Sequence, residues 1–119
     1  MTRGAVWFGQ GTKVDFAYDG DVVAHEVTHA LVDATLRVSG WRLTEEGITA
    51  EPEAIGEAIA DYFAAALTND PVVGEYAASE SAAATAALRS IDGDEACPRS
   101  IVGEAHNDSR VLSGALWRT

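Results

Sequence analysis

The chain has 119 residues, a formal net charge of −11 and 47% hydrophobic residues. That length bounds it to one domain, which can bury about 65% of its unfolded surface, and the hydrophobic content excludes a disordered acidic tail. The charge argues against nucleic acid as a partner, because phosphate binding needs a basic face, and the longest apolar stretches, such as Tyr62 to Leu67, fall far short of the ~20 residues of a membrane span.

Met1-Thr2-Arg3-Gly4 leads into no apolar core with a small-residue cleavage site, so no signal peptide is visible. Ala5-Val6-Trp7-Phe8, ahead of Gly9-Gln10-Gly11, predicts a strand and a turn, and Val14 to Ala17 alternates as a second strand. Tyr18-Asp19-Gly20-Asp21 predicts a turn into a helix, with acids suited to the positive end of the helix dipole. From Val22 to Val38 the apolar residues Val23, Val27, Ala30, Leu31, Ala34 and Val38 recur at helical spacing, and Gly40 fits the stop.

Residues 40–51 read as a loop, and Pro52 fits the first turn of a second helix. Ile55, Ile59, Tyr62, Phe63, Ala66 and Leu67 form its expected buried stripe, and Asn69-Asp70-Pro71 ends it. Ala77 to Leu88 permits a helix with an apolar face of small residues. Residues 91–105 read as a loop, and a last helix is expected from Asn107 or Asp108, burying Val111, Leu112, Ala115 and Leu116. The fold class is α+β, with two long helices carrying most of the core. The single cysteine, Cys97, excludes an intrachain disulfide and a cysteine-rich zinc knuckle.

The chemistry begins at His25-Glu26-Val27-Thr28-His29. Histidines at i and i+4 project from one helix face and can reach one metal ion, while Glu26, about 100° around, can approach a water on that ion. This is the H-E-x-x-H pattern of zinc hydrolases. Its bland alternative is an amphipathic helix with surface histidines. In the second helix Glu57 and Asp61 also stand at i and i+4, on a face with Ala54, Ala58 and Ala65 that would let another helix pack close. A zinc site with two histidines needs a third ligand, and Glu57 is placed to supply it. Asp61 could accept the spare N–H of a ligand histidine. Two solvated carboxylates are the bland alternative here. His106, the third histidine, is either a surface residue or a donor to an oxyanion.

The stretch Asp21 to Leu31 resembles the active-site helix of thermolysin-like metallopeptidases. Glu57-Ala58-Ile59-Ala60-Asp61-Tyr62-Phe63 is similar to their second helix. His106 with Ser113-Gly114-Ala115-Leu116-Trp117 is similar to the segment bearing their catalytic histidine, fungalysins included, and Leu88-Arg89-Ser90 has a counterpart between these blocks. The resemblance runs in order over nearly the whole chain. It implies a zincin-like catalytic core spanning residues 1–119 and a secreted zinc endopeptidase of the gluzincin type acting on peptides or proteins. Carried over by position, His25, His29 and Glu57 would bind zinc. Glu26 would be general base and then proton shuttle, Asp61 would support a ligand histidine (His25 by resemblance), and His106 would stabilise the oxyanion.

The chain also departs from that pattern. It starts after the expected substrate-pairing edge strand and its Asn-Ala signature, and stops before the helical second lobe. Gly40 and Trp41 stand where the oxyanion-assisting tyrosine is expected. The expectation is therefore a fragment or minimal version of the core, which binds zinc but cleaves peptides poorly. A non-catalytic zinc-binding domain is the second expectation. Calcium is a further possibility: Asp21 matches a calcium position by resemblance, Thr68 stands where a partner acid is expected, and Asp19, Asp70 and Glu75 could complete a site.

Overall fold

A computed structural model describes residues 5–38, 40–79 and 86–119. Its elements are a 3-10 turn Phe16–Tyr18, α1 Gly20–Thr35, β1 Arg42–Thr44, β2 Gly47–Thr49, α2 Glu51–Thr68, β3 Val72–Val73, α3 Glu75–Ala78, β4 Arg89–Ser90 and α4 Ala105–Trp117. The architecture is α+β: α2 lies between α1 and α4, with two small antiparallel sheets at the periphery. No helix among the described residues is long and apolar enough to cross a membrane.

Asp19 sets the start of α1. Its Oδ1 accepts from the N–H groups of Asp21 at 3.0 Å and Val22 at 3.2 Å, satisfying donors that the first helical turn leaves unpaired. Its Oδ2 accepts from Ala77 N–H at 2.7 Å, tying α3 to the same point. Helix α2 has Pro52 in its first turn with Glu51 and Glu53 beside it, and it stops where Asn69 turns left-handed at φ 56°. At α4 the cap is Glu104, whose side chain accepts from His106 N–H and Asn107 N–H. The helix therefore starts at Ala105, earlier than the sequence pattern suggests.

The buried faces differ from the expected apolar stripes. On α1 the buried residues are His25, Thr28 and Val32, while Val27, Ala30, Leu31 and Ala34 are exposed. On α2 they are Gly56, Glu57, Ala58, Ala60, Asp61, Ala64 and Ala65, whereas Ile55, Phe63, Ala66 and Leu67 face outward. On α4, Ala105, Ser109, Ser113 and Gly114 are buried, Val111, Leu112 and Leu116 only half so, and Ala115 is exposed. The reason is local. The seam between the helices holds a polar cluster, and only small residues let the backbones approach closely enough to form it. At Gly56 an added Cβ would lie 3.0 Å from the carbonyl oxygen of Val38, in the loop after α1, and 3.9 Å from the His29 ring. The apolar core is correspondingly small: Ala65, Val73 and Ile91, with Trp117 packed against them.

Other expectations change too. Residues 42–49, expected as loop, form a hairpin with Leu43 opposite Ile48, and Gly47 takes φ 130°, a conformation that side chains oppose. The strands expected at Ala5–Phe8 and Val14–Ala17 do not form. A single bridge, Gln10 to Asp15, precedes the 3-10 turn, and Trp7 is 87% exposed. These runs find no ladder partner among the described residues, so their alternation has nothing to pair with. Of the helix expected over Ala77–Leu88, Ala77 and Ala78 close α3 and residues 86–88 are not helical, while residues 80–85, like residues 1–4 of the leader reading, lie outside the described residues. Strands β3 and β4 pair Val73 with Arg89, which delivers that arginine to the α2 seam.

Candidate metal centre

His25 and His29 stand one turn apart on the buried side of α1, and their Nε2 atoms are 2.9 Å apart. Glu57, from α2, faces both rings: Oε2 is 3.2 Å from His25 Nε2, and Oε1 is 3.1 Å from His29 Nε2. His25 and Glu57 are buried, and the His29 side chain is 28% exposed, so the cluster opens to solvent on the His29 side. His25, His29 and Glu57 together could hold a metal ion.

The donor set fits such an ion. Glu57 Oε2 is buried and accepts no hydrogen bond, so it has an unmet need for a cation or donor. Ligands about 2.0–2.2 Å from a tetrahedral centre stand roughly 3.3 Å apart, close to the spacings seen here. Two imidazoles and a carboxylate suit zinc and other borderline divalent ions.

Asp61 lies one turn beyond Glu57, fully buried, with Oδ1 2.9 Å from His25 Nδ1. Nδ1 meets no partner in hydrogen-bond geometry, but the carboxylate charge beside it favours a proton on Nδ1 of a neutral His25 and leaves the Nε2 lone pair facing the cluster. Arg89 holds the same carboxylate through two hydrogen bonds, Nε to Oδ2 at 2.8 Å and Nη2 to Oδ1 at 2.7 Å. No role for Arg89 was legible beyond the resemblance of its segment. A fully buried aspartate paired with only one histidine would have been the signal to look for a second cation.

The electrostatics follow from this packing. Burial alone would lower the His25 pKa, but the Asp61 and Glu57 carboxylates outweigh it and raise the value to about 9. Burial would raise the Glu57 carboxyl, yet His25 and His29 hold it far below the usual carboxylate range. Asp61 is likewise lowered, by His25 and Arg89 against its burial. These directions describe the metal-free site, in which protons take the place of a bound cation.

Glu26 is half-buried, the next residue around α1 from His25, and its side chain makes no hydrogen bond or ion pair among the described residues. His106 lies in the first turn of α4 and not in a loop. Its Nε2 is 3.4 Å from Glu57 Oε2 and its Nδ1 is 2.9 Å from Glu104 Oε1. The ring is half exposed and approaches the Glu57 oxygen that faces His25.

Of the acids named for calcium, Asp21 and Asp70 lie near Glu75: a backbone hydrogen bond favours the Glu75 carboxylate, but burial and these two neighbouring carboxylates raise its pKa overall. Among the described residues His25, His29 and Glu57 form the only group of three or more such side chains close enough to share an ion. Both oxygens of Asp19 accept backbone N–H groups, as does one oxygen each of Asp21 and Asp70.

Comparisons with family models, curated proteins and solved structures give no match for this chain.

Proposed function

We propose that the chain is a zinc-dependent peptidase core of the gluzincin kind, hydrolysing peptide bonds. One observation carries this reading: two imidazole Nε2 atoms and both oxygens of Glu57 meet around one point, with Glu26 next along α1 and His106 approaching Glu57. His25, His29 and Glu57 would hold the ion. Zinc held there would supply polarisation of a carbonyl and a lowered water pKa of about 7. Glu26, tied to no other group, takes the proton of the attacking water and delivers it to the leaving nitrogen. His106, whose Nδ1 lies 2.9 Å from Glu104 Oε1, would turn Nε2 toward the developing oxyanion. The Asp61 charge, held by Arg89, favours the His25 tautomer that presents Nε2 inward.

A second reading, a non-catalytic zinc-binding domain, is favoured by the N-terminal stretch. Residues 5–17 contribute one isolated bridge and no strand that could pair with a substrate backbone. Orientation of bound reactants can supply up to about 7–11 kcal/mol of a barrier, so a site that holds the peptide loosely turns over slowly. Both readings require zinc, and only the first requires turnover. Metal analysis of purified protein combined with casein hydrolysis, with Glu26→Gln as the control, separates them. Zinc with cleavage that Glu26→Gln abolishes supports the peptidase. Zinc without cleavage supports the second reading, and no zinc sinks both.

A further inference from the structure

A groove lies between the β1–β2 hairpin, the first turns of α2, the 97–103 loop and the outer face of α4. It encloses about 660 Å³, within the usual range for ligand sites. It shares no residue with the metal cluster: on α4 it uses Asp108, Val111 and Leu112, on the far side from His106. Its wall is largely apolar, with Trp41, Ile48, Ile55 and Ile101 all exposed, Trp41 by 68% and Ile48 by 71%. Large apolar side chains gathered this densely on a surface mark a contact site.

Two observations narrow the occupant. Among the described residues the charged side chains lining the groove are Glu51 and Asp108, both acidic. Asp108 is held at the rim because both of its oxygens accept backbone N–H groups, from Val102 and Gly103, each at 2.8 Å. The net charge of −11 also opposes association of the chain with itself or with an anionic surface. We infer that this groove docks a basic amphipathic peptide segment, whose apolar side chains fill the space between Ile48 and Leu112 while its lysines or arginines face Glu51 and Asp108. The aromatic and aliphatic wall supplies affinity, and the acidic rim selects the charge of the segment.

The test uses the whole chain and a fluorescein-labelled twelve-residue helical peptide of lysine and leucine, read by anisotropy at physiological salt. Two counterparts accompany it, one with glutamate for lysine and one with serine for leucine. The lysine–leucine peptide should bind at least tenfold more tightly than either. Ile48→Lys, at an exposed hairpin position, should weaken that binding at least tenfold, and Glu51→Gln about threefold. Asp33→Lys, on the exposed side of α1, changes net charge as much or more and should leave it unchanged. Circular-dichroism melts identify any variant that fails to fold, and Ile101→Lys then replaces Ile48→Lys. Equal binding of the peptides would overturn the proposal, as would equal loss in Asp33→Lys or full affinity in Ile48→Lys. Sedimentation showing a dimer that Ile48→Lys dissociates would also overturn it, making the groove a self-interface.

Discussion

Asp61 Oδ1 lies 2.9 Å from His25 Nδ1 while both Asp61 oxygens accept hydrogen bonds from the Arg89 guanidinium. The buried carboxylate is therefore held on one side by a permanent cation and on the other by a ring whose far nitrogen faces Glu57. Arg89 fixes Asp61, and the Asp61 charge beside Nδ1 favours a proton on that nitrogen of His25. The three residues come from β4, α2 and α1, so the contact also joins those elements through their polar seam.

Replacing Asp61 with asparagine keeps the volume and removes the charge. Zinc affinity should fall roughly 10–100-fold, as is usual when the partner of a ligand histidine is lost. Arg89→Lys retains the positive charge but loses the planar two-bond geometry, and should cause a smaller loss. Competition with a chromophoric chelator reads both. Unchanged affinity in the two variants would reduce Asp61 and Arg89 to a structural ion pair.

His106 should act on turnover and not on metal retention. His106→Ala in a preparation that cleaves casein should lower kcat by about 100-fold or more, the range for loss of an oxyanion donor, with zinc content unchanged. Glu104→Gln should give a milder loss, since it weakens the orientation of the ring without removing it. Loss of zinc in His106→Ala would instead make that histidine a ligand.

The pH dependence of the metal-free protein has a definite sign. His25 rises from 6.5 to about 9, so its contribution is complete below about 6.5 and is lost as pH climbs through about 9. Glu57 is lowered from 4.5, so its contribution is complete above about 4.5 and is lost as pH falls toward its depressed value. The melting temperature of the metal-free chain should therefore peak between about 4.5 and 6.5 and decline toward 9. Zinc needs His25 deprotonated at Nε2, so binding near pH 7 should release protons and remove that decline. Calorimetry in buffers of differing ionisation heat counts the protons. A metal-free melting temperature flat from 6.5 to 9 would contradict the paired state described for His25.

Gly56 tests the close approach of the helices. Alanine there would gain about 1 kcal/mol in helix propensity. Its Cβ would stand 3.0 Å from the Val38 carbonyl oxygen, a backbone atom of the loop after α1, and 3.9 Å from the His29 ring. Overpacking of this kind costs about 1–3 kcal/mol, so Gly56→Ala should destabilise the chain and weaken zinc binding. A higher melting temperature in that variant would show that the α1–α2 seam has room to spare.

The site was more legible in the sequence than the packing around it. His25 with His29, and Glu57 with Asp61, are each one helical turn apart, and helix geometry alone puts each pair on one face. The core was misread at Val27, Leu31, Phe63 and Leu67 because apolar periodicity assumes that a helix buries its greasiest face. Here α1 and α2 bury their polar and small residues, and those large side chains stay exposed. The α4 start was missed because glutamate is an uncommon cap, so Glu104 drew no attention. The β1–β2 hairpin was missed because Glu45-Glu46 is not a strong turn pair, and Gly47 is its one clear signal. Arg89 could not be joined to Asp61 from the sequence, since that contact depends on the β3–β4 pairing.

The central claim is that His25, His29 and Glu57 hold one zinc ion. X-ray absorption spectroscopy on the zinc-loaded chain measures it most directly, with Glu57→Ala as the comparison. The account requires one zinc per chain with two imidazole nitrogens and a carboxylate oxygen at about 2.0–2.2 Å, and a protein oxygen lost from that shell in Glu57→Ala. A spectrum without imidazole scattering, or one that Glu57→Ala leaves unaltered, would contradict it.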